Sequence, residues 1–129
     1  MIYLDTSALL KLARHEPESA AFAGWLASHP APLASSALVR TEAHRALHRH
    51  CPDATRPLPG LLATINQIPI SDEILDAAAA FPTPELRSLD AIHLATAIKL
   101  HTGLSSFVTY DKRLAAVATD HGLPVVSPR

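Results

Sequence analysis

Five short runs restrict how this chain can fold: Ile2 to Leu4, Pro32 to Ala34, Gln67 to Ile70, Ser106 to Thr109 and Leu123 to Val126. Sequence with helical spacing separates each from the next. Parallel strands cannot be joined by a tight turn, and a helical crossover is the usual link. The alternation predicts an α/β domain with a parallel five-stranded sheet flanked by helices on both faces. Helices are expected from a Ser7 cap to about Arg14, over Glu18 to Ser28, from Ser36 to about His50 and over Leu58 to Ile65. Others are expected after a Ser71 cap, over Leu89 to His101 after a Ser88 cap, and from Asp111 to His121. Gly103 and Gly122 stop the last two. Prolines at 30, 57, 82 and 84 fall between these segments and Pro32, Pro59 and Pro69 at or next to their ends, where a helix is interrupted anyway.

The 129 residues fit a single domain over 1–129 and suffice for a core without staples. With 48% apolar and 18% charged residues, the chain is not a disordered one. A net charge of −1 excludes a globally basic nucleic-acid coat, so an anionic partner must be met by local patches. A lone Cys51 leaves no intramolecular disulfide and suits a reducing cytoplasm. No basic leader precedes Asp5, and the longest apolar run, Ala77 to Phe81, is too short to span a membrane.

In open parallel sheets, sites lie beyond the carboxyl ends of strands, near the point where strand order reverses. Asp5 and Asp111 fall after the first and fourth runs. Each also suits a turn or a helix cap. Asp90 opens a helix, where the dipole favours acids. Glu42 lies within the apolar stripe formed by Leu38, Val39, Ala43, Ala46 and Leu47. There it requires a partner, such as Arg45 or Arg49, or a metal ion. Acids gathered in this way repel one another, and a hard cation with oxygen ligands relieves the repulsion.

Leu4-Asp5-Thr6-Ser7-Ala8, Glu42, the run from Ser88 to Ala97, and Phe107-Val108-Thr109-Tyr110-Asp111-Lys112-Arg113-Leu114 together resemble the PIN-domain family. Within it they are most similar to the VapC-type toxin ribonucleases of bacterial toxin–antitoxin pairs. The likeness extends to the last run, Gly122 to Val126. It implies a magnesium- or manganese-dependent endoribonuclease whose acid quartet maps onto Asp5, Glu42, Asp90 and Asp111, as catalytic and metal-holding residues. It also implies a VapB-type antitoxin, a homodimer, an RNA substrate and a cytoplasmic location, with no membrane. The antitoxin is expected to dock in an apolar groove formed by the early helices that includes Phe22, Trp25 and Leu26, the alternative being that these three are simply core.

Around the quartet, Thr6, Ser7, His93 and Thr109 are candidates to support the metal site through hydrogen bonds, although His93 reads first as a helix-packing histidine and each hydroxyl also suits a plain turn or cap. Arg40, Arg45 and Arg49, on a helix also carrying His44, His48 and His50, are candidates for RNA phosphate contact. They equally suit a solvated face or an antitoxin surface. His44, His48 and Cys51 have zinc-like spacing but lack a fourth ligand. Two other readings compete with the nuclease. One is a PIN-shaped binding module without turnover. The other is a phospho-acceptor receiver domain, although this chain has Asp5 alone after the first run and no lysine after the last.

Overall fold

The computed structural model describes residues 1–129. Its strands are β1 (Ile2–Leu4), β2 (Leu33–Ser36), β3 (Ile65–Ile68), β4 (Ser106–Val108) and β5 (Val125–Val126). All neighbours pair in parallel, in the order β3-β2-β1-β4-β5. The chain therefore builds outward from β1 in one direction, then returns to lay β4 on its other side. The reversal lies between β1 and β4.

Seven α-helices cover the sheet: α1 (Thr6–Ala13), α2 (Ser19–Ser28), α3 (Val39–His50), α4 (Leu58–Leu62), α5 (Asp72–Ala79), α6 (Ser88–Lys99) and α7 (Lys112–Asp120). Strand alternation divides the core between two faces. Ile2, Leu4 and Val108 pack with Leu9, Phe22, Val39, Leu47 and Leu58 from α1 to α4. Tyr3 and Phe107 turn to the opposite face and pack with Leu94, Leu114 and Val117 from α6 and α7. Their rings stack 5.4 Å apart at 5°. Each fully buried Leu or Phe here contributes ~1.5–3 kcal/mol relative to exposure. Helix α5 lies against α6.

Several boundaries differ from the expected ones. The second strand runs two residues further, because Ser35 and Ser36 pair with Gln67 and Ile68. Both serines are buried, and Ser35 Oγ donates to the Leu4 carbonyl at 2.6 Å. Ser36 thus ends a strand rather than opening a helix, and α3 starts at Val39. The third strand begins at Ile65 instead of Gln67 and stops before Pro69, which has no N–H for the ladder. Accordingly α4 ends at Leu62. The α1 cap is Asp5 rather than Ser7: its backbone is extended and its carboxylate accepts from Ala8 N at 2.9 Å. Ser88 is the first residue of α6, not its cap, because Arg87 precedes it in the extended conformation. Helix α6 ends at Lys99, and a short 3-10 turn over His101–Gly103 follows. A second such turn, Pro52–Thr55, follows α3 and was not foreseen. No helix is long and apolar enough to cross a membrane.

Candidate active site

Asp5 leaves β1 at the strand-order reversal and is buried. Thr109, beyond β4, donates from Oγ1 to Asp5 Oδ2 at 2.6 Å, so this bond crosses the reversal itself. Ser7 Oγ donates to Asp5 Oδ1 at 2.7 Å, beside the Ala8 amide. Burial raises the Asp5 carboxyl above its ordinary range, although the bonds from Thr109, Ser7 and Ala8 act in the other direction.

Glu42 projects from α3. Its partner is neither Arg45 nor Arg49. Thr6 Oγ1 donates to Glu42 Oε1 at 2.6 Å, and His93 Nε2 lies 2.8 Å from the same oxygen. No protein group bonds Oε2. Burial disfavours the Glu42 charge, but the hydrogen bonds from His93 and then Thr6 hold the carboxyl below its usual range. His93 itself is buried, and both ring nitrogens are engaged. It lies on α6, so the His93–Glu42 contact joins helices from the two layers.

Asp90 lies in the first turn of α6 and Asp111 caps α7. Asp111 Oδ1 accepts from Arg113 N at 2.9 Å and Leu114 N at 3.0 Å. The guanidinium of Arg87 stands between the two acids, with Nε 3.3 Å from Asp90 Oδ2 and Nη2 3.3 Å from Asp111 Oδ2. Burial raises the Asp90 carboxyl, and the nearby Asp111 charge raises it further. The Arg87 side chain is 71% exposed, so solvent screens its attraction and an incoming cation can displace it.

The structure thus connects the expected residues by shared partners: Asp5 with Ser7 and Thr109, Glu42 with Thr6 and His93, Asp90 with Asp111. Thr109 Oγ1 also accepts from Asp111 N at 3.1 Å. Sequence reasoning missed Tyr3 and Arg87. Arg87 precedes Asp90 by three residues at a helix start, a spacing that allows an ion pair. Tyr3, within an apolar run, carries no such signal, yet its hydroxyl lies 2.8 Å from His93 Nδ1.

The remaining candidates lie elsewhere. Arg40, Arg45 and Arg49 are exposed on α3, and Arg45, His48 and Arg49 line one shallow surface cleft. His44 Nδ1 lies 2.7 Å from the Arg40 carbonyl, and no zinc-like cluster forms with Cys51. The expected groove on α2 needs correcting. Phe22 is fully buried core, while Trp25 and Leu26 pack half-buried against it.

An α/β fold with acids at its strand-order reversal defines the class of molecule, and comparison with known proteins names it. The PIN domain family profile matches residues 2–120. "Ribonuclease VapC35" of Mycobacterium tuberculosis is 45% identical over 99% of this chain and 97% of its own length. The chain belongs to the PIN-domain family, among the VapC ribonucleases. A toxin–antitoxin complex from Klebsiella pneumoniae superposes with a TM-score of 0.73 at 28% identity, covering 100% of this chain and 98% of that one. The crystal structure of M. tuberculosis VapC20, a Sarcin-Ricin loop cleaving toxin, gives a TM-score of 0.78 at 20% identity and covers 99% of this chain and 100% of that one, a likeness of fold.

Proposed function

We propose that this VapC-type ribonuclease is the endoribonuclease toxin of a toxin–antitoxin pair, acting in the cytoplasm with magnesium or manganese at Asp5, Glu42, Asp90 and Asp111. The observation that supports the reading is the linkage at the β1–β4 reversal, where Thr109 bonds both Asp5 and the Asp111 amide and Arg87 reaches both Asp111 and Asp90.

The donor set fits a hard cation, because the quartet offers only oxygen. Glu42 Oε2 and Asp90 Oδ1 have no protein partner, and Arg87 already brings positive charge between Asp90 and Asp111. No three histidine, cysteine or acidic side chains enclose one point as a complete cage. Magnesium does not need one, since it retains several waters and uses one or two carboxylates. Bound there, the ion supplies Lewis acidity and a more acidic water.

The protein groups have separable tasks. Thr109 and Ser7 hold the Asp5 carboxylate at the end of β1, and Thr6 and His93 hold Glu42. Arg87 balances Asp90 and Asp111 until a cation or an RNA phosphate approaches. Arg40, Arg45 and Arg49 steer RNA by its phosphates. The Klebsiella complex supports an antitoxin partner, and the family likeness supports a homodimer. Trp25 and Leu26, at the half-buried edge of α2, belong to the antitoxin surface.

Purified protein freed of inhibitor is expected to cut structured RNA with added magnesium or manganese. Asp5→Asn, Glu42→Gln and Asp90→Asn should each lose most activity, because grouped ligands act as a unit. Undiminished cutting in excess chelator would overturn the metal-dependent reading. Metal binding without RNA cleavage would favour the silent binding module.

A further inference from the structure

The hydrogen-bond chain behind Glu42 has a defined direction. Ser36 N donates to Tyr3 Oη at 3.0 Å in the buried sheet. Tyr3 retains its own proton at neutral pH, as phenols do, and must place it. Besides the Ser36 amide, the group that meets Tyr3 Oη in hydrogen-bond geometry is His93 Nδ1, 2.8 Å away, and it is the acceptor for the phenol proton. Ser35 and Thr96 commit their own protons to the Leu4 and Ile92 carbonyls at 2.6 and 2.7 Å, so neither donates to the phenol. A ring that accepts at Nδ1 carries its proton on Nε2. Nε2 faces Glu42 Oε1 at 2.8 Å, with Thr6 Oγ1 at 3.1 Å on its flank. Thr6 sends its own proton to the same Oε1.

We infer that Tyr3 and His93 are positioning residues for Glu42: Tyr3 sets the Nε2–H tautomer of His93, and His93 with Thr6 fixes Oε1 so that Oε2 alone remains for the cation. The inference rests on the proposed role of Glu42 in holding the ion. It assigns work to Tyr3, which otherwise reads as a core aromatic stacked on Phe107. It also explains why a polar chain is built into the sheet. A buried hydroxyl and imidazole are costly unless satisfied, and a phenylalanine and a leucine would fill the same space without that demand. Partners of this kind fix the ring orientation and tautomer of a group near a metal, and losing one typically costs ~10–100-fold in metal affinity or activity.

Nitrogen-15 NMR of the histidine rings in the metal-free protein reads the tautomer directly. His93 is expected to show a protonated Nε2 and an unprotonated Nδ1. In Tyr3→Phe that pattern should be lost, and magnesium affinity by calorimetry should fall ~10-fold or more with the KM for RNA little changed. Tyr3→Phe leaves the buried Ser36 amide without its acceptor, so a second comparison keeps the inference testable if that variant does not fold. His93→Gln retains one N–H donor and one carbonyl acceptor, whereas His93→Leu retains neither, so the glutamine should recover much of the magnesium affinity that the leucine loses. A proton on Nδ1 in the wild type would overturn the relay. So would equal magnesium affinity in the glutamine and leucine variants. A wild type that binds no magnesium would overturn the metal reading of Glu42, while the nitrogen shifts would still decide the tautomer.

Discussion

Replacing Thr109 by valine isolates the hydroxyl that holds Asp5. Valine has nearly the same shape, so no cavity opens. What disappears is the 2.6 Å bond from Oγ1 to Asp5 Oδ2, together with the acceptor for Asp111 N. Thr109 is fully buried and Asp5 only 3% exposed, so water does not readily replace the donor. A hydrogen bond to a charged group contributes ~1.5–3 kcal/mol, and the carboxylate left behind retains its desolvation penalty. At ~3–5 °C per kcal/mol for a domain of this size, the chelated protein should melt ~5–15 °C below wild type at neutral pH.

The deficit also has a pH signature. Burial raises the Asp5 carboxyl in the native state. Between its unfolded and native values the folded protein binds more protons, so stability falls as pH rises through that window. Losing the Thr109 bond, which favours the charged form, raises the native value further and extends the window upward. The gap between variant and wild type should therefore widen as pH rises through the native value of the wild-type Asp5 and level off above that of the variant. Thermal melts in chelator across that range, with Thr109→Ser as the variant that restores the hydroxyl, measure it. A gap of constant size at every pH, or a neutral-pH melting temperature within about 1 °C of wild type, would refute the argument.

Two substitutions in the quartet should shift stability in opposite directions. Glu42→Gln should destabilise chelated protein by ~1–3 kcal/mol at neutral pH, because His93 and Thr6 favour the charged form. Since the Glu42 carboxyl is held low, its contribution is present above the ordinary glutamate range and lost as pH falls through the native value. Asp90→Asn should instead melt higher in chelator, because burial and Asp111 penalise its charge, and it should gain less from magnesium than wild type does. Urea melts in which both variants shift the same way would contradict this division. Gly122 ends α7 at φ +78°, and a Cβ there would meet nothing within 4 Å, so Gly122→Ala should cost only the backbone strain, ~1 kcal/mol by chemical denaturation.

The sheet was legible because strand-like and helix-like segments alternate, and the reversal followed from placing acids at strand ends. Boundaries were less legible where serines mislead. Ser7, Ser36 and Ser88 look like helix caps, yet Asp5 supplies one cap, Ser36 completes a strand and Arg87 precedes the third helix. A cap is local chemistry, and tertiary pairing overrides it: the β2–β3 ladder draws Ser36 into the sheet. Asp5, Glu42, Asp90 and Asp111 were singled out by position and resemblance. Their partners follow from approaches between residues far apart in the chain, Thr6 with Glu42 and Tyr3 with His93, which no local spacing encodes. Glu42 looked anomalous on its helix because its stripe faces the core. The anomaly was real, but its resolution lay on α6 rather than one or two turns away at Arg45 or Arg49.

The four acids are not electrostatically equivalent, and the reason is where each is anchored. Glu42 lies at the seam between the two helical layers and receives donors from both, Thr6 of α1 and His93 of α6, which more than offset its burial. Asp5 receives three donors to the two of Glu42 but lies deeper, and burial wins. Asp90 has only an exposed arginine for company and shares it with Asp111. The quartet therefore contains one acid whose charge the fold favours and two whose charge it resists. On the proposed metal reading, a cation at the site would relieve Asp5 and Asp90, not Glu42. The burial of both charges and the repulsion between Asp90 and Asp111 would favour its binding, and Glu42 would contribute a pre-oriented oxygen. That division assigns the two kinds of support seen around the site. Hydroxyls and an imidazole lock geometry from within the core, and a mobile guanidinium holds the unbalanced charge at the surface, where solvent screening keeps it displaceable.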